Sequence, residues 1–295
     1  MPPTVQLFSI LCIIYSLFCP FINGYKEHCL TRNQGDNRYA SYSSDGSRII
    51  FESNRDGNWE IYAMDKNGLN QTRLTHNDKE DRRPSRHPDG SKIIYESNVG
   101  EQVQLLLLDL KTLKTREIPL PEWVTDPLFA KYSPKAEFIA FSAQDSIQQY
   151  HIYLLDQTTL EIQSVVSSAY KIHYPNWSPD GRELVIFSRM DTKNADDEIY
   201  KYHLGRQQLT RLTFWPKHNF CPAWSMDGKK IAYVTSMEET RPEIYMMDAS
   251  GKNQQRLTHN EAGDTLPCWA PDGHSLLFTG YRQGNFQICQ IKLAP

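Results

Sequence analysis

The chain has no G-x-S-x-G elbow, no H-E-x-x-H, no G-x-G-x-x-G and no P-loop. The common signatures of serine hydrolases, zinc proteases and nucleotide-binding proteins are therefore excluded. Ser53–Trp59, "SNRDGNW", lacks the S-x-D-x-G spacing of a sialidase Asp box. A charge excess is missing too: 295 residues carry 32 basic and 35 acidic side chains, a net charge of −3. With no basic surplus to neutralise phosphates, nucleic acid is not an expected partner. No block of like charges suggests a tail or a membrane-surface helix.

Charge is absent altogether from Met1 to Tyr25, where Val5–Phe18 forms a strongly apolar run. Pro20 ends any helix there, and Ile22-Asn23-Gly24 offers a small residue for cleavage. Residues 1–24 are read as a secretory signal peptide, with an uncleaved anchor as the alternative for the same run. The expected product is periplasmic or secreted, is monomeric and has no membrane span after cleavage.

What the sequence does have is repetition. "YSSDGSRIIFES" at Tyr42 returns as "RHPDGSKIIYES" at Arg86, "YSPKAEFIAFS" at Tyr132 and "WSPDGRELVIFS" at Trp177. It returns again as "WSMDGKKIAYVTS" at Trp224 and "WAPDGHSLLFTG" at Trp269. The turn residues Asp45, Asp89, Lys135, Asp180, Asp227 and Asp272 are spaced by 44, 46, 45, 47 and 45 residues. A period of this size is the mark of a repeat architecture with room for four short strands per unit. Each copy continues into a third strand such as "EIYAMD" (Glu60–Asp65) or "EIYMMD" (Glu243–Asp248). Fourth strands follow around "TRLT" (Thr72–Thr75), "TRLT" (Thr210–Thr213) and "QRLT" (Gln255–Thr258). Asn67-Gly68 is the dipeptide favoured in a two-residue hairpin, and Ser250-Gly251 holds the corresponding place.

Four antiparallel strands repeated radially make a β-propeller, so the expected fold is all-β with six blades, in one domain over residues 25–295. The last copy has only three strands, and "HCLTRNQGD" (His28–Asp36) matches "QRLTHNEAGD" (Gln255–Asp264). The N-terminal segment is therefore expected to be the outer strand of the sixth blade, closing the ring and removing a free edge. If Ser250-Gly251 is the two-residue turn, Tyr245 lies opposite Arg256, and their sixth-blade equivalents are Cys289 and Cys29. Opposed residues in an antiparallel pair are close enough for a disulfide, and an exported chain meets oxidising conditions. A Cys29–Cys289 bridge is expected, two free buried thiols being the alternative. Cys221 and Cys268 are offset by two residues on adjacent inner strands and are left unpaired.

The unit W-S-P-D-G…I-x-F-x-S-x-R-D-G…x-I-Y-x-M-D-x-x-G…R-L-T resembles the repeat of TolB-like propellers. Its fullest copies are Ser43–Asn77 and Trp224–Asn260, and the resemblance covers residues 28 to 295. Similar repeats form the propellers of prolyl-oligopeptidase-type peptidases and of oligogalacturonate lyases. The resemblance implies a periplasmic propeller that binds a peptidoglycan-associated lipoprotein at one mouth of its channel. Residues 25–295 are expected to lack the α/β domain by which TolB engages its inner-membrane partner, and the hydrolase domain of the peptidases.

Two constellations remain as candidate sites. Asn37, Asp81, Asp126, His173, Asn219 and Asp264 stand at the starts of the innermost strands. As a ring at one mouth they have the chemistry to coordinate calcium or another divalent cation, or to receive a partner's basic segment. Alternatively, each caps its own turn. The insertion Asp191–Glu198, "DTKNADDE", offers oxygen ligands but lacks the glycine and spacing of a known calcium loop, and reads as a solvated loop. His76 and His259 recur at one repeat position and read as structural. Trp177, Trp224 and Trp269 likewise read as inter-blade core, whereas Trp123 and Trp215 fall outside the repeat positions, where exposed binding loops would lie. The favoured function is an exported, non-catalytic scaffold binding a protein or peptide, an envelope lipoprotein among the candidates. The alternative is a metal-assisted lyase or hydrolase of saccharides, lactones or peptides, with Asp81, Asp264 and His173 holding the metal.

Overall fold

The second strand of each repeat reads as an unbroken apolar run rather than an alternating one, which means that both of its faces are buried. In the computed structural model Ile49, Ile50 and Phe51 are all fully buried, as are Ile231, Ala232, Tyr233 and Val234. The cause is the architecture: six sheets of four antiparallel strands stand side by side in a ring. Each sheet packs its two faces on its neighbours, so that Val185, Ile199 and Leu212 of the fourth blade share one cluster with Trp224, Tyr233 and Tyr245 of the fifth. The structure describes residues 25–100, 102–192, 196–214, 217–236, 241–260 and 262–293. The proposed signal peptide, Trp215 and part of the Asp191–Glu198 insertion lie outside them. Apart from one 3-10 turn at Leu204–Arg206, the described elements are strands.

The innermost strands are Asn37–Tyr42, Asp81–Arg86, Thr125–Tyr132, Ile172–Trp177, Asn219–Trp224 and Asp264–Trp269. Ring closure follows the repeat count: Glu27–Cys29 is the fourth strand of the last blade, paired with Asn285–Lys292. Tyr245 faces Arg256 and Cys29 faces Cys289, and a disulfide joins Cys29 to Cys289. Cys221 and Cys268 are free thiols.

The recurrent turn is built by its aspartate. Ser178 Oγ donates to Asp180 Oδ1 (2.6 Å), and the same carboxylate accepts the Arg182 N–H (3.1 Å). Gly181 closes the turn onto the Ser178 carbonyl at φ 71°, a conformation that Ala136 must adopt in the third blade. The outer turn at Asn67-Gly68 differs from the two-residue hairpin expected. Gly68 donates to the Asp65 carbonyl, and Gly68 has positive φ while Asn67 does not, as the two-residue type I′ turn would require. Gly68 is nonetheless obligatory: at φ +83° a Cβ would lie 2.5 Å from the Leu30 carbonyl oxygen of the preceding blade.

Every innermost strand carries a bulge two residues after its repeat start, seen as a register shift against the second strand. There Tyr39, Arg83, Phe129, Tyr174, Cys221 and Leu266 all have φ between 48° and 62°. Non-glycine residues adopt this region at a cost of about 1–2 kcal/mol each, so the surrounding ring must impose it. The bulge aims these side chains at the axis. Tyr39 and Tyr174 come from diametrically opposite blades, yet their rings are 6.5 Å apart, and Phe129 stands 5.4 Å from Tyr174. The Arg83 guanidinium lies over both Tyr39 and Phe129. These side chains fill the axis at this level.

Candidate functional site

At the end of the axis where the innermost strands begin, the chemistry repeats between blades. Glu60 opens a third strand and is fully buried. Its carboxylate accepts the Thr75 hydroxyl, the Arg73 guanidinium (2.5 Å) and the Asn77 N–H (3.0 Å). Asn77 Nδ2 then donates to Asp81 at the start of the next innermost strand (2.7 Å), and the Ser97 hydroxyl donates to the same carboxylate (2.6 Å). Glu243 repeats the arrangement with Thr258, Arg256, and Asn260 on Asp264, whose other oxygen accepts Arg282 (2.9 Å). Glu198 does so with Thr213 and Arg211, and takes Asn219 Nδ2 directly (3.1 Å). In the sixth blade Gln287 replaces the glutamate: its Oε1 accepts Asn37 Nδ2 (3.1 Å), while Thr31 Oγ1 accepts the Ile288 N–H (2.8 Å). These are inter-blade clasps, each tying the end of one blade to the start of the next.

Four of the six candidates, Asn37, Asp81, Asn219 and Asp264, are thus buried members of four separate clasps and do not face one another across a mouth. Asp126 and His173 hold different repeat positions. Ile172 pairs with Ser188 as Asn37 pairs with Ser53, so His173 lies one residue further along. In the third blade Leu128 pairs with Ser142 as Arg38 pairs with Glu52, which gives Pro127 the repeat position and leaves exposed Asp126 just before it. These two junctions lack a clasp, and there Asp126 and His173 together line a cavity of about 250 Å³ with Tyr150 and Lys171. His173 packs on Phe129 and Phe187, and burial pushes its pKa down to about 4, so it is neutral at pH 7. Trp123 is exposed, its edge on Tyr153.

The clasp glutamates escaped the sequence reading, although "EIY" and "RLT" were its most regular features. Burial raises the carboxyl pKa of Asp81, Glu198 and Asp264, and that of Glu243 to about 7. Glu52 and Glu96, buried beneath the axial plug, are raised for the same reason. A carboxyl whose folded pKa lies above its unfolded one holds a proton that unfolding releases. Its contribution is complete below the ordinary carboxylate range and is lost as pH rises toward the folded value. Buried His173 acts in the opposite sense up to its ordinary range, so the assignment is read from a difference: the urea midpoint of the wild type minus that of Glu243→Gln is expected to fall between pH 5 and pH 7.5. A difference that stays flat or rises over this interval would contradict the assignment.

The opposite end of the axis, under the recurrent turns, holds a wider depression of about 420 Å³ to which all six blades contribute. Its walls include Trp177, Trp224 and Trp269, with Met226 at the rim and Tyr39 and Tyr174 of the plug as its floor. The tryptophans are inter-blade core as well: Trp177 Nε1 donates to the Lys131 carbonyl and Trp269 Nε1 to that of Ala223, each 3.1 Å. Lys131 is the one Lys, Arg, His, Asp or Glu in this lining.

The family model of the TolB beta propeller domain matches residues 15–145 and 128–294. The chain belongs to this family. The Tol-Pal system protein TolB of Francisella tularensis is 27% identical over 268 residues, covering 88% of this chain and 60% of that protein. An uncharacterized peptidase, YuxL, of Bacillus subtilis is 27% identical over 125 residues, 41% of this chain and 18% of the peptidase. This propeller thus spans less than two thirds of the length of these curated relatives. Among solved structures, TolB from Acinetobacter baumannii superposes with a TM-score of 0.66 at 20% identity, over 88% of this chain and 63% of that one. An oligogalacturonate lyase from Vibrio parahaemolyticus gives 0.66 at 15% identity, over 92% and 94%. At these identities the structural likeness is one of fold.

Proposed function

We propose that the protein is an exported, non-catalytic TolB-type propeller that binds a protein or peptide partner at one mouth of the axis. The observation that carries this reading is the 420 Å³ cup, walled by aromatic side chains from a ring that supplies it with no acid–base pair. It shifts the binding end from the strand starts, where four of the six polar candidates are consumed in clasps, to the face of the recurrent turns. Export rests on the uncharged N-terminal run. Among the described residues no helix is long and apolar enough to cross a membrane. The TolB relatives support a partner in the cell envelope, a lipoprotein being the first to test.

The rival reading draws on the fold likeness to oligogalacturonate lyases, one of them solved in complex with manganese. It needed Asp81, Asp264 and His173 around one ion. Asp81 and Asp264 instead stand in different clasps, and among the described residues no three His, Cys, Asp or Glu side chains are placed to hold a metal. A photo-crosslinking residue in place of Met226, which is 51% exposed at the rim, is expected to trap one dominant protein from the native envelope or medium. Absence of a specific adduct, together with turnover of oligogalacturonate or peptide substrates, would favour the enzyme.

A further inference from the structure

Position 131 is where one copy departs from the other five. Its repeat equivalents are Ser41, Ser85, Asn176, Ala223 and Cys268, all small or uncharged, and only the third blade places a cation there. The half-buried Lys131 lines the cup with its Nζ 6.0 Å from the Tyr174 ring centre. Among the described residues no carboxylate lies within ion-pair distance of it. The acid whose field reaches it, Glu96, is committed to the Arg83 guanidinium and to the Phe129 N–H (2.7 Å). An ammonium held in an aromatic cup without a counter-charge costs free energy that a ligand anion would recover.

The shape of the cup restricts what can bring that anion. Tyr39 and Tyr174 close its floor, so no chain can thread through, and a polypeptide entering must either end there or turn back. Turning back requires two backbone segments side by side, about 4.8 Å apart, with room for both sets of side chains. An ending chain needs one segment, and it carries its own carboxylate. We infer that the cup takes the C-terminal end of a partner polypeptide, its terminal carboxylate meeting the Lys131 ammonium and its last side chains packing on Trp177, Trp224 and Trp269. This rests on the proposed partner-binding role and names the part of the partner that is read. Burial pushes the Lys131 pKa down from its ordinary value, as it would for an ammonium awaiting its counter-ion.

The test presents the secreted full chain with two pools of N-acetylated random tetrapeptides, one with free C-terminal carboxylates and one amidated, and identifies retained peptides by mass spectrometry. Retention of the free-acid pool is expected to exceed that of the amidated pool at least tenfold. Lys131→Met should abolish the difference and Lys131→Arg should preserve it. Equal retention of both pools, or selection from the amidated pool of peptides with internal Asp or Glu, overturns the inference. So does a folded Lys131→Met protein that crosslinks the native partner through position 226 as well as the wild type does; the partner-binding role would then stand and the terminal carboxylate would not. Failure of the wild type to trap any partner at position 226 is the separate outcome that removes the role itself.

Discussion

Glu60→Ala is expected to lower the stability of the propeller by about 3–5 kcal/mol, the usual cost of removing one partner from a buried ion pair. The carboxylate is fully buried and is the hub of the first clasp. Its removal strands the Thr75 hydroxyl and the Asn77 N–H and leaves Arg73 with the Thr75 carbonyl and, as its remaining carboxylate, the more distant Asp56 at 3.7 Å. Each stranded buried donor adds a desolvation cost of about 1–3 kcal/mol. Glu60→Gln should recover part of the loss, because the amide oxygen still accepts Arg73 and the Asn77 N–H while its NH2 faces the Thr75 hydroxyl, which can accept; what it forfeits is the charge opposite Arg73. The control lies at the same repeat position in the next blade, where half-buried Gln104 pairs with Ser97 as Glu60 pairs with Ser53, and the following innermost strand offers Pro127 in place of a polar partner. Gln104→Ala is expected to cost less than about 1 kcal/mol, within the range of ordinary surface changes. Urea midpoints of the two variants measured together decide the matter. Equal losses would mean that the clasp is packing rather than electrostatics.

The fold was legible because the sequence contains six versions of one answer. Asp180 alone says only that a hairpin turns there, but its return at Asp45, Asp89, Asp227 and Asp272 gives the period, and the period gives the blade. Even the pairing of Cys29 with Cys289 could be read by transferring the register of Tyr245 and Arg256. The candidate site was less legible. Counting polar residues near strand starts placed Asp126 and His173 in a ring with Asp81 and Asp264, since a slip of one residue is invisible without the strand pairing. That slip decides between a clasp and the lining of the cavity at the unclasped junctions. The axial plug has no sequence signature at all: Tyr39, Arg83, Phe129, Tyr174, Cys221 and Leu266 share only a backbone conformation, and convergence of the ring imposes it. Lys131 was not singled out in the sequence, because its significance depends on the cup around it.

Reducing the Cys29–Cys289 bridge is expected to be the second large perturbation, costing about 2–5 kcal/mol. The two cysteines are 260 residues apart, so the bridge converts nearly the whole chain into a loop and removes much of the freedom of the unfolded state. The folded state depends on it for a local reason too. The closing strand Glu27–Cys29 is only three residues long, and beyond it the segment is held to the last blade by Thr31 and the Leu30 N–H, both on Ile288. So short a strand cannot hold a ring against fraying, and once it opens the sixth blade presents an unpaired edge. Loss of the bridge should therefore appear first as local opening. Hydrogen exchange at the Ile288 amide and proteolysis within residues 30–36 are expected to accelerate in Cys29→Ser before global unfolding begins. On the chain from residue 25 onward, unreduced and denatured, two thiols should titrate, those of Cys221 and Cys268. Four would show the bridge absent. A bridge that is present, but whose reduction leaves both the urea midpoint and the Ile288 exchange rate unchanged, would mean that the inter-blade clasps alone keep the ring closed.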